Sequence, residues 1–193
     1  FHNFGLRLKT GNGVSQDKQL AKDFFKRGSE LNDSLCLNEY ARMLSDEEFG
    51  LLQEKAAFDN FEQSAMTFYG TALGNLARCY LSGFGVSQDL TRAYAIADFA
   101  RTAGDAEGTQ IADHLEHEIS SSDRKYAESL RQIFWQECIE YQHQLAIKDL
   151  IQRLEEMHNF IQTPWEERHL IEVPDDIHER DFIRPELLES FPY

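Results

Sequence analysis

Cysteine is scarce in this chain, and its spacing excludes two classes of small stabilised protein. The three cysteines, Cys36, Cys79 and Cys138, form no close pair, so the sequence has neither a disulfide framework nor the ligand spacing of a zinc site. Isolated cysteines of this kind are usually small buried apolar residues. Three unpaired thiols are consistent with a reducing compartment, either the cytosol or an organelle interior.

Basic residues are also few. The 193 residues include 19 lysines and arginines against 34 acidic residues, a net charge of −15, with no run of five basic residues. A phosphate-binding surface needs clustered cations, so we expect protein partners rather than nucleic acid or anionic membrane. No apolar stretch approaches the roughly 18 residues of a membrane span. Residue 1 is Phe, not Met, and lies within a helical pattern, so we expect part of the first helix to precede it.

Signatures of catalysis are missing as well, since the chain contains no His-Glu-x-x-His and no Gly-x-Ser-x-Gly. Two Glu-x-x-His pairs have the spacing of dimetal ligands: Glu140 with His143, and Glu155 with His158. They lie 15 residues apart, roughly 22 Å along an unbroken helix, which is too far for one site. His114 and His117 are a second candidate pair for zinc. We therefore predict no enzyme and no cofactor, and keep a metal-binding enzyme as the alternative.

Glycine is concentrated in the first part of the chain, where two turns have nearly the same sequence. GNGVSQD occupies residues 11–17 and GFGVSQD occupies residues 83–89, 72 positions later, while no glycine follows Gly108. Half of that spacing, 36 residues, reveals a third and more divergent copy between them. Small residues recur in register at Ala21, Ala57 and Ala93. The period predicts three helix pairs, because each unit has two apolar segments with helical spacing.

Turn chemistry explains why these seven residues recur. A residue just past a helix end commonly needs positive φ, which favours glycine, the valine fills the turn, and the aspartate can cap the next helix. The predicted structural turn set is Gly11, Gly13, Val14, Asp17, Gly83, Gly85, Val86 and Asp89. A phosphate-binding Gly-x-Gly loop is a poor alternative, because both loops follow predicted helices rather than strands. The middle copy, residues 43–57, has Gly50 but lacks the paired glycines, so its turn conformation stays open.

These units resemble Sel-one-like repeats, which are relatives of tetratricopeptide repeats. The third copy, NLARCYLSGFGVSQDLTRAYAIADFARTAGDAEG at residues 75–108, carries the resemblance most closely, and the similarity covers roughly residues 1–115. The resemblance implies an α/α solenoid that binds proteins or holds subunits together and has no chemistry of its own. Stacked helix pairs form an extended concave surface suited to such binding.

The segment after the repeats reads as helix. We expect residues 105–119 to continue the repeat register and about 124–162 to form one long helix or two, with Asp123 as a plausible N-cap. An apolar stripe comprises Leu130, Phe134, Cys138, Tyr141 and Leu145. A narrower seam comprises Ile147, Leu150, Leu154, Met157 and Ile161. This helix is either a cap on the repeats or an arm that reaches a partner.

All four prolines lie in the last thirty residues, together with nine acidic and three basic residues. Prolines exclude a long helix there, yet large apolar side chains are frequent, so we expect an extended tail against a protein surface. Its predicted partner-binding residues are Trp165, Phe182, Phe191 and Tyr193.

The sequence thus predicts an all-α protein with repeats over 1–119, a long helical cap or partner helix over 120–162, and an extended acidic tail over 163–193. The predicted function is a non-enzymatic protein-interaction scaffold, an accessory subunit that holds a larger assembly through its C-terminal helix and tail. Transient adaptor and permanent subunit both remain open.

Overall fold

The protein is built from α-helices, as the sequence predicts. The computed structural model describes residues 1–163, and in that range there are eight α-helices, one short 3₁₀ turn at Glu47–Phe49 and no strand. The helices are α1 (His2–Thr10), α2 (Lys18–Glu30), α3 (Ser34–Leu44), α4 (Glu54–Ala65), α5 (Gly70–Ser82), α6 (Leu90–Thr102), α7 (Ala106–Glu118) and α8 (Ser121–Gln162).

The 36-residue period is visible in where the helices begin. The even-numbered helices α2, α4 and α6 start at Lys18, Glu54 and Leu90, and the odd-numbered helices α3, α5 and α7 start at residues 34, 70 and 106. From α1 to α7 each helix packs on its neighbours in the chain, and α5 also packs on α7. The predicted helix-pair solenoid is confirmed, and α7 continues its register as expected.

Small residues on the even-numbered helices allow this close packing. Ala21, Ala57 and Ala93, which the period aligns, are all fully buried. Larger side chains fill the space around them in two separate apolar clusters. The first helix pair and part of α3 form the smaller cluster, around Leu8 and Phe25. The rest of the repeats form the larger one, which extends to Leu115.

The middle turn differs from the other two. After α3 the chain forms the 3₁₀ turn, in which Asp46 accepts a hydrogen bond from the Glu48 backbone N–H at 2.9 Å. Gly50 then takes φ +119 before α4 begins. This copy therefore still uses one glycine with positive φ, but a 3₁₀ turn followed by that single glycine replaces the Gly-x-Gly pair.

Helix α8 is one continuous helix, which answers the question of one helix or two. It begins at Ser121, and the cap is Ser120 rather than the predicted Asp123. The Ser120 hydroxyl oxygen accepts from the Asp123 backbone N–H at 3.1 Å and donates to the Asp123 carboxylate at 2.7 Å. The prediction of Asp123 as cap was wrong by three residues, because a serine before the helix can serve the same orphan N–H groups.

The described chain divides at Leu145 into two units, residues 1–145 and 146–163. Within the first unit, α8 contacts α4 and α6 through the predicted stripe and through the neighbouring Trp135. Cys138 is fully buried beside Ala65, and Trp135 contacts Phe99 of α6 with ring centroids 5.5 Å apart. In the second unit most side chains of α8 are exposed.

Candidate protein-interaction surfaces

The two matching turns share one backbone conformation. Gly11 and Gly83 follow α1 and α5 with φ of +76 and +78, and their N–H groups donate to carbonyls of the preceding helix turn. Gly13 and Gly85 also have positive φ, +75 and +69. Left-handed backbone is cheap only for glycine, so these four positions constrain the sequence of both turns.

The aspartate and the valine of each turn cap the next helix and pack against the apolar core. Asp17 and Asp89 each accept a hydrogen bond from the backbone N–H three residues further on, at 2.8 and 2.9 Å. Val14 and Val86 are partly buried against the smaller and the larger apolar cluster respectively. These contacts join each turn to the helix that follows it and to the apolar cluster beneath it.

A polar network that the sequence did not reveal connects the odd-numbered helices. Asn75 of α5 donates to the Asn38 side-chain oxygen of α3 at 2.8 Å, and both residues are buried. Arg78 donates to the Asn75 side-chain oxygen and to Glu107 of α7, each at 2.8 Å. Because these groups hydrogen-bond to one another, the network connects neighbouring repeats through α3, α5 and α7. Its only signal in the sequence is an asparagine inside an apolar stripe.

The histidine pairs are dispersed rather than gathered. Glu140 with His143 and Glu155 with His158 all lie on the single helix α8. His114 lies 3.6 Å from Glu118, its neighbour one turn along α7. Within residues 1–163, no group of three or more His, Cys, Asp or Glu residues is placed to hold a metal ion.

The three thiols are buried and unreactive in character. Burial raises the pKa of Cys36 to about 12, of Cys79 to about 11 and of Cys138 to about 12. A thiol attacks as its thiolate, and these groups stay protonated at neutral pH. The interpretation of Cys138 as a core thiol is confirmed by its position.

Exposed apolar side chains follow one side of α8 in the second unit. Ile147, Leu150, Leu154 and Met157 alternate three and four residues apart and are between 41 and 58% exposed. Ile161 continues the seam with 56% exposure. By contrast, Cys138, on the stripe of the first unit, is fully buried. The side chains of the predicted seam are therefore about half exposed, and the seam is the main candidate surface.

A groove of 610 Å³ lies between α4 and α8 in the first unit. Its lining residues are Glu62, Met66, Gln136, Glu137, Glu140, Tyr141 and Gln144. Burial raises the pKa of the Glu62 carboxyl above its ordinary value, and the negative charges of Asp59 and Glu137 raise it further. The groove thus combines three carboxylates with the apolar surface of Met66 and Tyr141.

Replacing Glu62 with Gln should stabilise the protein at neutral pH. The raised pKa means that ionised Glu62 costs more in the fold than in the unfolded chain, and this cost disappears as the pH falls through the raised pKa. Because Glu62 is only partly buried, solvent screening keeps the gain at pH 7 below about 1 kcal/mol. Urea unfolding at neutral pH and near pH 4 measures it. Exposed Glu128→Gln is the control, and a gain for E62Q that does not shrink at low pH would contradict the assignment.

The predicted partner-binding residues of the tail, Trp165, Phe182, Phe191 and Tyr193, lie outside the described residues. Among residues 1–163, no helix has the length and hydropathy needed to cross a membrane.

Comparison with known proteins gives structural neighbours only. No protein-family model matches the sequence, and no curated protein matches it. A protective antigen present in uropathogenic Escherichia coli strains, displaying an SLR fold, superposes with a TM-score of 0.65 at 20% identity. That alignment covers 75% of this chain but only 31% of the antigen. A Sel1 repeat protein from Oxalobacter formigenes superposes with a TM-score of 0.52 at 20% identity, covering 58% of this chain and 85% of that one.

Proposed function

We propose that this chain, whose fold is that of Sel1-like repeat proteins, is a non-enzymatic interaction scaffold and an accessory subunit of a larger protein assembly. In this proposal residues 1–119 are the repeats, residues 120–162 are the helix that packs on them and reaches a partner, and residues 163–193 are the acidic tail. The helix and the tail together hold a neighbouring subunit.

The open seam of α8 carries the proposal. Leu150 and Leu154 are about half exposed, and covering the rest of each side chain is worth about 1 kcal/mol. Alternation three and four apart suits packing along a second helix. The repeats bury their own apolar stripes, so this seam is an exposed apolar surface of the kind that marks interaction sites.

The charge of the chain favours a protein partner. A net charge of −15 without basic clusters supports binding to basic or mixed protein surfaces and disfavours nucleic acid. The tail adds nine acidic and three basic residues to this balance, together with the aromatic candidates Trp165 and Tyr193. Aromatic side chains give large contact areas for little loss of conformational entropy.

Native mass spectrometry of the tagged chain, purified gently from its own cells, tests the proposal. We expect an assembly of fixed stoichiometry that loses its neighbours when Leu150 and Leu154 are both replaced with Ser, or when residues 163–193 are deleted. Gln152→Ser with Asn159→Ser, on exposed polar positions of the same helix, is the matched control and should retain them.

The outcomes separate the remaining possibilities. Neighbours that survive high-salt washing indicate a permanent subunit, and neighbours lost on washing indicate a transient adaptor. An assembly that keeps its composition with both leucines replaced would refute the role of the seam. Stoichiometric metal in the same samples, removed by His143→Ala with His158→Ala, would instead favour the metal-binding alternative.

A further inference from the structure

Two lining residues of the groove between α4 and α8, Tyr141 and Met66, are held in place by contacts within the chain. The Tyr141 hydroxyl accepts a hydrogen bond from Gln63 at 3.2 Å, and Gln63 also donates to Asn32 at 2.6 Å. The Met66 sulfur lies 3.8 Å from the buried Cys138 sulfur. Side chains fixed in this way lose little conformational entropy on binding, which favours the groove as a docking surface.

The same side of α8 presents further apolar area. Ile133 is exposed, and it precedes Glu137 by four residues, so the two side chains lie on one stripe with Glu140 and Gln144. The segment from Gln136 to Gln144 spans about 12 Å of helix, which an extended peptide of about four residues covers.

The charges around the groove are unbalanced. Glu62, Glu137 and Glu140 line it, and no lysine or arginine is among its lining residues. Within residues 1–163, no ion pair joins any of these three carboxylates to a cation, whereas nearby Asp59 pairs with Lys55 at 2.6 Å. Burial is the main cause of the raised pKa of Glu62; Asp59 and Glu137 raise it further, and Lys55 and Arg92 lower it.

We propose that the groove between α4 and α8 is a docking site for a short basic segment of a protein partner. Two or more arginine or lysine side chains would pair with Glu62, Glu137 and Glu140, while their aliphatic stems lie along Met66 and Tyr141. The Tyr141 ring face also attracts cations. This site goes beyond the scaffold function proposed above, because it lies wholly in the first unit and does not use the seam of α8.

Fluorescence anisotropy of the full chain with one labelled peptide tests the site. The probe has a central leucine flanked by two arginines on each side. We expect saturable binding, weakened about tenfold or more by Glu137→Gln with Glu140→Gln, since each change removes a charge-assisted contact. A control pair, Glu128→Gln with Glu155→Gln, removes the same charge from exposed positions of the same helix. It should weaken binding by less than about twofold if recognition is local.

Three results would overturn the proposal. The first is equal weakening by both pairs of substitutions, which means attraction to net charge alone. The second is the absence of saturable binding below about 1 mM, where affinity is too low for a site. The third is equal binding of a probe with glutamates in place of the arginines. Unchanged circular dichroism and continued protection of Cys138 from a thiol reagent establish that α8 stays in place in each variant. Seam variants that release the native neighbours but still bind the probe separate this site from the scaffold function.

Discussion

Replacing Gly85 with alanine should lower the free energy of unfolding by about 3 kcal/mol or more. This is the largest effect that we expect from adding a single methyl group to this protein. Gly85 has φ +69, and a Cβ there would lie 2.7 Å from the Glu54 carbonyl carbon and 2.8 Å from the Phe58 Cβ, with the Glu54 oxygen closer still. Backbone atoms of α4 cannot move aside without shifting the helix. Urea unfolding of the full chain measures the loss.

Gly13 provides the matched control for Gly85, since the repeat places it at the equivalent position with φ +75. A Cβ at Gly13 meets no heavy atom within 4 Å, so G13A should cost only the backbone strain, about 1 kcal/mol. Equal losses for the two variants would show that left-handed strain alone, and not the close approach of the third repeat to the second, determines the cost.

Replacing Phe61 with alanine should cost about 3 to 5 kcal/mol, because the ring is 0% exposed and the cavity left behind has no side chain that can fill it. Phe61 belongs to the larger apolar cluster, which joins helices α3 to α7. Loss of this ring therefore weakens several helix contacts together. Calorimetry or urea unfolding gives the value.

Phe4→Ala is the control for Phe61→Ala. Phe4 is 43% exposed and contacts the Phe24 ring within the first helix pair, with ring centroids 5.0 Å apart. We expect it to lose less than about 1.5 kcal/mol. A loss at Phe61 no larger than that at Phe4 would mean that the larger cluster does not hold the repeats together.

The repeats could be predicted because the residues that define each turn lie close together in the sequence. A Gly-x-Gly turn followed by a capping aspartate depends only on neighbouring residues. The seven residues of the turn were therefore enough to predict Gly83 at the end of one helix and Asp89 as the cap of the next. The 36-residue period then follows from comparing the two turns. The exposed seam at Leu150 and Leu154 was likewise predictable from spacing, because no other apolar stripe competed for it.

Features that depend on contacts between repeats were not predictable. Asn32, Phe68 and Gly104 lie 36 residues apart, and all three have positive φ, yet phenylalanine at such a position gives no warning in the sequence. Its ring contacts Trp135 of α8 at 4.7 Å, which offsets the backbone strain. The docking groove was missed for the same reason, since Glu62 and Glu137 meet only through packing of α4 on α8.

The placement of the thiols has a practical consequence for spectroscopy. Cys36 lies in the smaller apolar cluster, Cys79 in the larger one and Cys138 on the side of α8 that contacts α4, and all three are buried with raised pKa. A maleimide dye added to the native protein therefore has no natural target of ordinary reactivity. A single cysteine introduced at exposed Ser15 or Gln152 can be labelled without first removing the natural ones. Distances from such dyes to a bound subunit can then be measured on an otherwise unmodified chain.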